Sequence, residues 1–268
     1  MTDTNTPTNL TIAFFQQDIA WECPEANYAM VENAFSGIAE DADILIVPET
    51  FNTGFSDNMA SMAEPPCGPT FQFALRMAKE HNALFAGSWT VRDKSLLHPG
   101  KTAVFNRFHW VMPNGDFGYY DKAHTFRVST EADQLERGRN RSIFEWRGWH
   151  FKPAVCYDLR FPQWLRNSNP PDYDVLLLCA NWPGSRSDAW DTLLRARAIE
   201  NESYVVGVNR VGTDAAGIAY SGHCAAIDFK GFAISSCTPG MPQVRTATLN
   251  KERLKQFREH WPFFLDFD

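Results

Sequence analysis

The chain has 268 residues, of which 44% are hydrophobic and 14% aromatic, enough to bury a substantial core. A formal net charge of −7 opposes binding to nucleic acid or to an anionic membrane surface, since both need a positive field. No apolar run approaches the ~18 residues that span a bilayer, and the polar start, Met1 to Asn9, lacks the basic and apolar regions of a secretory signal, so a soluble, cytoplasmic protein is expected.

Residues 1–8 read as a polar, poorly ordered lead-in, and Leu10 to Phe15 as the first strand. Tyr28, Val31, Phe35 and Ile38 then recur at helical spacing. Asp43 to Pro48 is a short apolar run, as expected of a strand covered on both faces. Phe71, Ala74, Leu75 and Ala78 predict a second helix after Pro69, and Ala83 to Thr90 the next strand. Thr102 to Val111 alternates, with Val104, Asn106, Phe108 and Trp110 on one face; Met112 to Asp116 is a hairpin turn and Phe117 to Tyr120 the return strand. Trp149 to Cys156 and Asp174 to Ala180 are further strands. Asp188 to Asn201 is a helix with Trp190, Leu193, Leu194 and Ala198 on one side. Ser203 to Asn209, Gly222 to Phe229 and Phe232 to Cys237 read as late strands. Without a linker or repeat, this alternation predicts one α/β domain with mixed sheets over residues 9–250. Residues 251–268 read as a short helix and an apolar tail, Trp261-Pro262-Phe263-Phe264-Leu265. Exposed apolar tails are costly, so this one is expected to pack on the body or on a partner subunit.

Six cysteines with no CxxC pair suggest neither a disulfide framework nor a structural zinc site. Cys156 ends a strand and precedes Tyr157-Asp158-Leu159-Arg160-Phe161-Pro162, so its thiol can sit exposed in a cleft, where helix N-terminal amides would lower its pKa. The alternative is a buried structural cysteine. Glu49 follows the run Ile46-Val47-Pro48, at a strand's carboxyl end, where open α/β sheets place ligands. Partial burial there would raise its pKa and suit it to acid–base work; the alternative is a solvated or capping Glu. Lys122, flanked by Tyr119, Tyr120 and His124, can line a cleft wall or can snorkel over its aromatic neighbours at the surface.

Order and context join these three. Pro-Glu-Thr-Phe at Glu49, Tyr-Asp-Lys-Ala-His at Lys122 and Val-Cys-Tyr-Asp-Leu-Arg-Phe-Pro at Cys156 together resemble the three signatures of the nitrilase superfamily of carbon–nitrogen hydrolases. Within it the chain most resembles the bacterial ω-amidases, which hydrolyse 2-oxoglutaramate and 2-oxosuccinamate. Asn181-Trp182-Pro183, the segment Leu194 to Asn201 and the segment Gly207 to Gly212 carry that closer likeness. The resemblance implies a four-layer αββα sandwich with two mixed sheets, usually dimerised through helices into a longer sandwich, so a homodimer or higher homo-oligomer is expected. It also implies a second glutamate shortly after the lysine. Glu131 occupies that place, the alternative being an ordinary loop acid.

The chemistry implied is a cysteine amidase acting on a small-molecule amide. Cys156 attacks, Glu49 moves protons, and Lys122 with the Tyr157 backbone N–H steadies the oxyanion. No metal or organic cofactor is needed, because side chains and backbone supply every role. An ω-amide with a distal carboxylate calls for a cation, with Arg160 and Arg186 as candidates. Arg160 could instead pair with Asp158, and Arg186 could be a surface residue at a helix start. Phe55, Tyr157 and Trp182 could wall the pocket or belong to the core. Two rival readings stand beside this one: a Cys–His hydrolase using His124, His150 or His223, and a binding module without catalysis. A true nitrilase or a carbamoylase is the alternative within the superfamily.

Overall fold

A computed structural model describes residues 7–37 and 42–267. Residues 1–6 of the polar lead-in and Ile38 lie outside the described residues. In chain order the elements are β1 (Asn9–Gln16), α1 (Pro24–Phe35), β2 (Ile44–Ile46), α2 (Met59–Met62), α3 (Pro69–His81), β3 (Leu84–Lys94), β4 (Thr102–Val111), β5 (Phe117–Asp121) and α4 (Glu131–Gln134). They continue with β6 (Phe144–Trp146), β7 (Trp149–Val155), a 3-10 turn at Cys156–Arg160, α5 (Pro162–Leu165), β8 (Val175–Ala180), α6 (Ser187–Glu200) and β9 (Tyr204–Asn209). Last come β10 (Val211–Thr213), β11 (Ala219–Ser221), β12 (Ala225–Ile227), β13 (Ala233–Ser236), β14 (Gln243–Asn250) and α7 (Lys251–His260).

Two six-stranded mixed sheets result, in the orders β14-β1-β2-β3-β4-β5 and β13-β12-β9-β8-β7-β6. Each is built around a parallel trio, β1-β2-β3 in one and β7-β8-β9 in the other, with antiparallel strands on both flanks. Period-2 alternation decides which residues meet. Ile12 and Phe14 of β1 face the second sheet, joined by Ile44, Ile46, Phe108, Val155, Leu177 and Val206 in the central core. Ala13, Phe15, Leu45 and Phe85 face outward onto Val31 and Phe35 of α1 and Phe71, Ala74 and Met77 of α3. On the other side Ala154, Leu176, Leu178 and Val205 pack on Leu165 of α5 and Trp190, Leu194 and Ala198 of α6. The layers are therefore αββα, and both central trios are apolar on each face because each face is covered.

The structure departs from the sequence reading at a few edges. β2 covers only the middle of the run Asp43 to Pro48. β3 runs on to Lys94, held by a ten-residue antiparallel register against β4 from Phe85–Val111 to Lys94–Thr102. β14 has no counterpart in the sequence reading; it pairs with β1 over eight residues, yet buries only Ala247 and Leu249. After α7 the tail lies along the body. Its Phe263 N–H donates to Glu202 Oε1 at 2.9 Å, and Phe267 packs under Arg166, while Trp261, Phe263 and Leu265 remain half exposed. No helix among the described residues is long and apolar enough to cross a membrane.

Candidate active site

Three parallel strands deliver the site. Glu49 follows β2, Cys156 follows β7 and Asn181 follows β8, so residues from both sheets meet beyond the strands' carboxyl ends. The backbone is strained where it turns. Thr50 has φ +42° and Cys156 φ +45°, each in the left-handed region that β-branched and ordinary residues avoid. Such conformations cost about 1–3 kcal/mol each and persist where surrounding contacts over-determine them. Here Ser88 Oγ accepts the Thr50 N–H at 3.1 Å, and Asn181 Nδ2 donates to Thr50 Oγ1 at 2.9 Å.

Glu49, Lys122 and Glu131 form one fully buried cluster. Lys122 Nζ donates to Glu49 Oε1 at 2.9 Å and to Glu131 Oε1 and Oε2 at 2.8 and 2.9 Å. Asn106 Nδ2, from β4, donates to Glu49 Oε1 at 2.8 Å and to Glu131 Oε1 at 3.2 Å. The second Glu49 oxygen accepts the Asn181 N–H at 2.7 Å, and Asn181 Nδ2 donates to the Glu49 carbonyl at 2.7 Å. Cys156 Sγ leans toward the Asn181 carbonyl at 3.9 Å. Thus Asn181 ties the carboxylate strand to the thiol strand.

Charge follows from this packing. Burial works against the Lys122 ammonium, but Glu131 and then Glu49 outweigh it and hold the group well above its ordinary value. Burial raises the Glu131 carboxyl, opposed by Lys122 and reinforced by Glu49. For Cys156 the expectation of a lowered pKa is overturned. Burial, with Glu49 adding to it, pushes the thiol well above its ordinary value against the pull of Lys122. The segment after it is a 3-10 turn, not a long helix, so its amide field is small beside these effects.

Cys156 and Lys122 open into a hollow of about 380 Å³, within the usual range for small-ligand sites. Phe55, Tyr157, Arg160, Trp182 and Arg186 line the same hollow. The Arg160 guanidinium sits over the Trp182 ring at 4.8 Å and that of Arg186 lies 5.7 Å from Phe126. Neither arginine has a carboxylate within 4.0 Å among the described residues. The alternative pairing of Arg160 with Asp158 does not form, because the Asp158 oxygens accept from Tyr120, Val155 and His124. The Tyr157 N–H belongs to the first turn after the strand and has no intrahelical acceptor.

All nine residues expected from the sequence therefore converge on one place. Sequence reasoning misses Asn181 and Asn106 as site residues, although each leaves a signal. Asn181 is the first polar residue after an apolar strand, as Glu49 nearly is. Asn106 shares a strand face with Val104, Phe108 and Trp110, where an apolar residue is the rule. The histidines lie elsewhere: His150 is at the amino end of β7 beside Asp174, His223 pairs with Asp191 in another hollow, and His124 is bound to Asp158 facing a second cavity. Among the described residues no cluster of three His, Cys, Asp or Glu is arranged to hold a metal ion.

Fold and site together define a carbon–nitrogen hydrolase, and the chain belongs to that family, whose sequence model matches residues 11–259. It is 38% identical to the omega-amidase YafV of Yersinia enterocolitica, over 97% of each chain. It is 31% identical to the 2-oxoglutaramate amidase of Bacillus subtilis, over 96% of each. Among solved structures, a CN-hydrolase superfamily protein of Xanthomonas campestris, carrying an arsenic adduct in its active site, superposes with a TM-score of 0.90 at 39% identity over 97% of both chains.

Proposed function

We propose that the chain is an ω-amidase that hydrolyses a small amide bearing a distal carboxylate, of the 2-oxoglutaramate or 2-oxosuccinamate type, to the dicarboxylate and ammonia. One observation carries this reading: Cys156 and Lys122 share a hollow with Arg160 and Arg186, two cations without a carboxylate partner among the described residues. A guanidinium fits a carboxylate bidentately, and an amide held there by its acid end presents its carbonyl to the thiol. Full-length relatives named for that activity support the choice.

Burial and Glu49 hold the Cys156 thiol above its ordinary value and so favour its protonated form, and attack from that form requires a base. Glu49 takes the Cys156 proton as sulfur bonds to the amide carbon. The oxyanion that forms accepts from Lys122 Nζ and the Tyr157 N–H, each donor of this kind being worth about 3 kcal/mol. Collapse breaks the C–N bond while Glu49 returns the proton to nitrogen, releasing ammonia and leaving a thioester on Cys156. Glu49 then deprotonates water, which adds to the thioester carbon; C–S cleavage frees the acid and the sulfur regains a proton. Glu131 keeps the ammonium charged and aimed throughout. Further proposals follow the same reading: the protein works in the cytoplasm as a homodimer, and the half-exposed Trp261, Phe263 and Leu265 offer an apolar surface to a second copy.

Ammonia release from 2-oxoglutaramate by wild type and Cys156→Ala tests the assignment. Abolished turnover in the variant is the expected result, and undiminished turnover removes Cys156 from the chemistry.

A further inference from the structure

Lys122 and Cys156 reach the site from different sheets. Lys122 follows β5 of the first sheet, and Cys156 follows β7 of the second. A shift of about 1 Å between such groups can cost about 100-fold in rate, so something must hold the two sheets in register at this point. Asp158, two residues beyond Cys156 and fully buried, meets the requirement.

Its Oδ2 accepts the Tyr120 hydroxyl at 2.8 Å and the Val155 N–H at 3.0 Å. Its Oδ1 accepts both the backbone N–H of His124 at 3.0 Å and the His124 Nδ1–H at 2.7 Å. Three of these donors flank Lys122, and the fourth is the peptide N–H just before Cys156. The Tyr120 hydroxyl in turn accepts the Ala123 N–H at 3.1 Å and the Trp164 Nε1–H at 2.9 Å. From the opposite side, the Gly138 N–H donates to the Lys122 carbonyl at 2.9 Å and Arg137 Nε donates to the Ala123 carbonyl at 2.6 Å. The turn 122–124 is thus gripped from both sides, and one carboxylate joins it to the strained Cys156 elbow.

A histidine bonded to a buried aspartate also looks like the base and its orienter in a Cys–His hydrolase. The geometry argues otherwise. The His124 ring stacks on Phe161 with centroids 3.7 Å apart at 8°, and it lines a cavity shared with Arg137 and Trp164 rather than the hollow holding Cys156. We infer that Asp158 is a positioning residue, with His124 as its clamp: together they fix Lys122 against Cys156 and take no part in proton transfer. This inference rests on the amidase reading above.

Kinetics on four variants test it. Asp158→Asn leaves one acceptor oxygen and presents an NH₂ to donors that have nowhere else to turn. It is expected to lower kcat about 100-fold while KM moves by less than about threefold, since ground-state binding is untouched. The second pair of variants guards against a misfolded Asp158→Asn. In His124→Asn the amide Nδ2 stands where the imidazole Nδ1 stood, so the donor stays and any base is lost. In His124→Phe the ring stack stays and the donor is lost. Positioning predicts that His124→Asn keeps kcat within about threefold of wild type and that His124→Phe loses about tenfold, the scale of one hydrogen bond to a charged group. If both His124 variants lose turnover equally, His124 acts as a base and the inference falls. If His124→Phe and folded Asp158→Asn both turn over like wild type, the network is only structural and the inference falls. Cys156→Ala, assayed alongside, separates the two levels: its inactivity beside active Asp158 and His124 variants overturns only the positioning role, whereas its activity overturns the amidase mechanism itself.

Discussion

Lys122 Nζ lies 2.8 and 2.9 Å from the two carboxylate oxygens of Glu131, so the ammonium is grasped from both oxygens of one acid while a third bond, 2.9 Å, reaches Glu49. Two buried carboxylates this close to each other are tolerable only with the cation between them. Lys122→Met keeps the bulk of the side chain and removes the charge. Breaking a buried ion pair at one partner costs about 3–5 kcal/mol, so urea unfolding should show a loss of that order. The same variant removes the proposed oxyanion donor, and kcat should fall about 100- to 1000-fold in the folded fraction. Normal stability together with normal turnover would contradict the cluster as described.

The thiol supplies a pH prediction. Burial and Glu49 raise the Cys156 value above the 9.0 of an ordinary cysteine. A group raised on folding contributes stability below its unfolded value and loses that contribution as pH rises through its folded value. Wild type should therefore lose stability relative to Cys156→Ala as pH climbs above 9.0, and not near neutral pH, a window set by the direction of the shift. The difference in ultraviolet thiolate absorbance between wild type and Cys156→Ala is the direct check. A thiolate signal already full at neutral pH would show that Lys122 dominates after all.

The two arginines in the hollow carry the substrate argument. Arg160→Met should raise KM for a carboxylate-bearing amide about 10- to 100-fold, the scale of a lost charge-assisted hydrogen bond, and leave KM for a neutral amide of similar size nearly unchanged. Arg186→Met, whose guanidinium lies by Phe126, should act in the same direction. Equal effects on both substrates would mean that these residues shape the hollow rather than read the acid.

Much of this is legible in the chain because the fold is made of strands with strong periodicity and the site residues end them. Glu49 and Cys156 each stand at or just past the end of an apolar run, and the burial of both sheet faces writes that run plainly. Arg160 and Arg186 are legible as cations near the motifs, but the freedom of Arg160 from Asp158 depends on that carboxylate accepting from Tyr120, Val155 and His124, which no spacing reveals. The protonation of Cys156 is hidden for a related reason. The sequence shows a strand followed by a helix-like segment, whereas the shift comes from burial and from Glu49, an acid far away in the chain. β14 leaves little trace because only Ala247 and Leu249 of its eight residues are buried, so its alternation carries little apolar contrast.

Asn106 offers the sharpest test of how the acids are balanced. Its Nδ2 donates to Glu49 Oε1 at 2.8 Å and to Glu131 Oε1 at 3.2 Å, while its buried Oδ1 has no hydrogen-bond partner. Asn106→Leu keeps the branched shape with somewhat more bulk, removes the donor and also removes the orphaned acceptor, so the stability cost should be about 1–3 kcal/mol. Asn106→Asp is the smaller chemical change but places a third carboxylate beside two others around a single ammonium. It should destabilise more than Asn106→Leu at neutral pH, because the added acid either repels Glu49 and Glu131 or must take up a proton. As pH falls and that acid protonates, the gap between the two variants should narrow. Urea unfolding of both variants at neutral and acidic pH measures it. Equal stability of Asn106→Asp and Asn106→Leu at neutral pH would mean that the Glu49–Lys122–Glu131 cluster has room for another negative charge, against the tight coordination the distances describe.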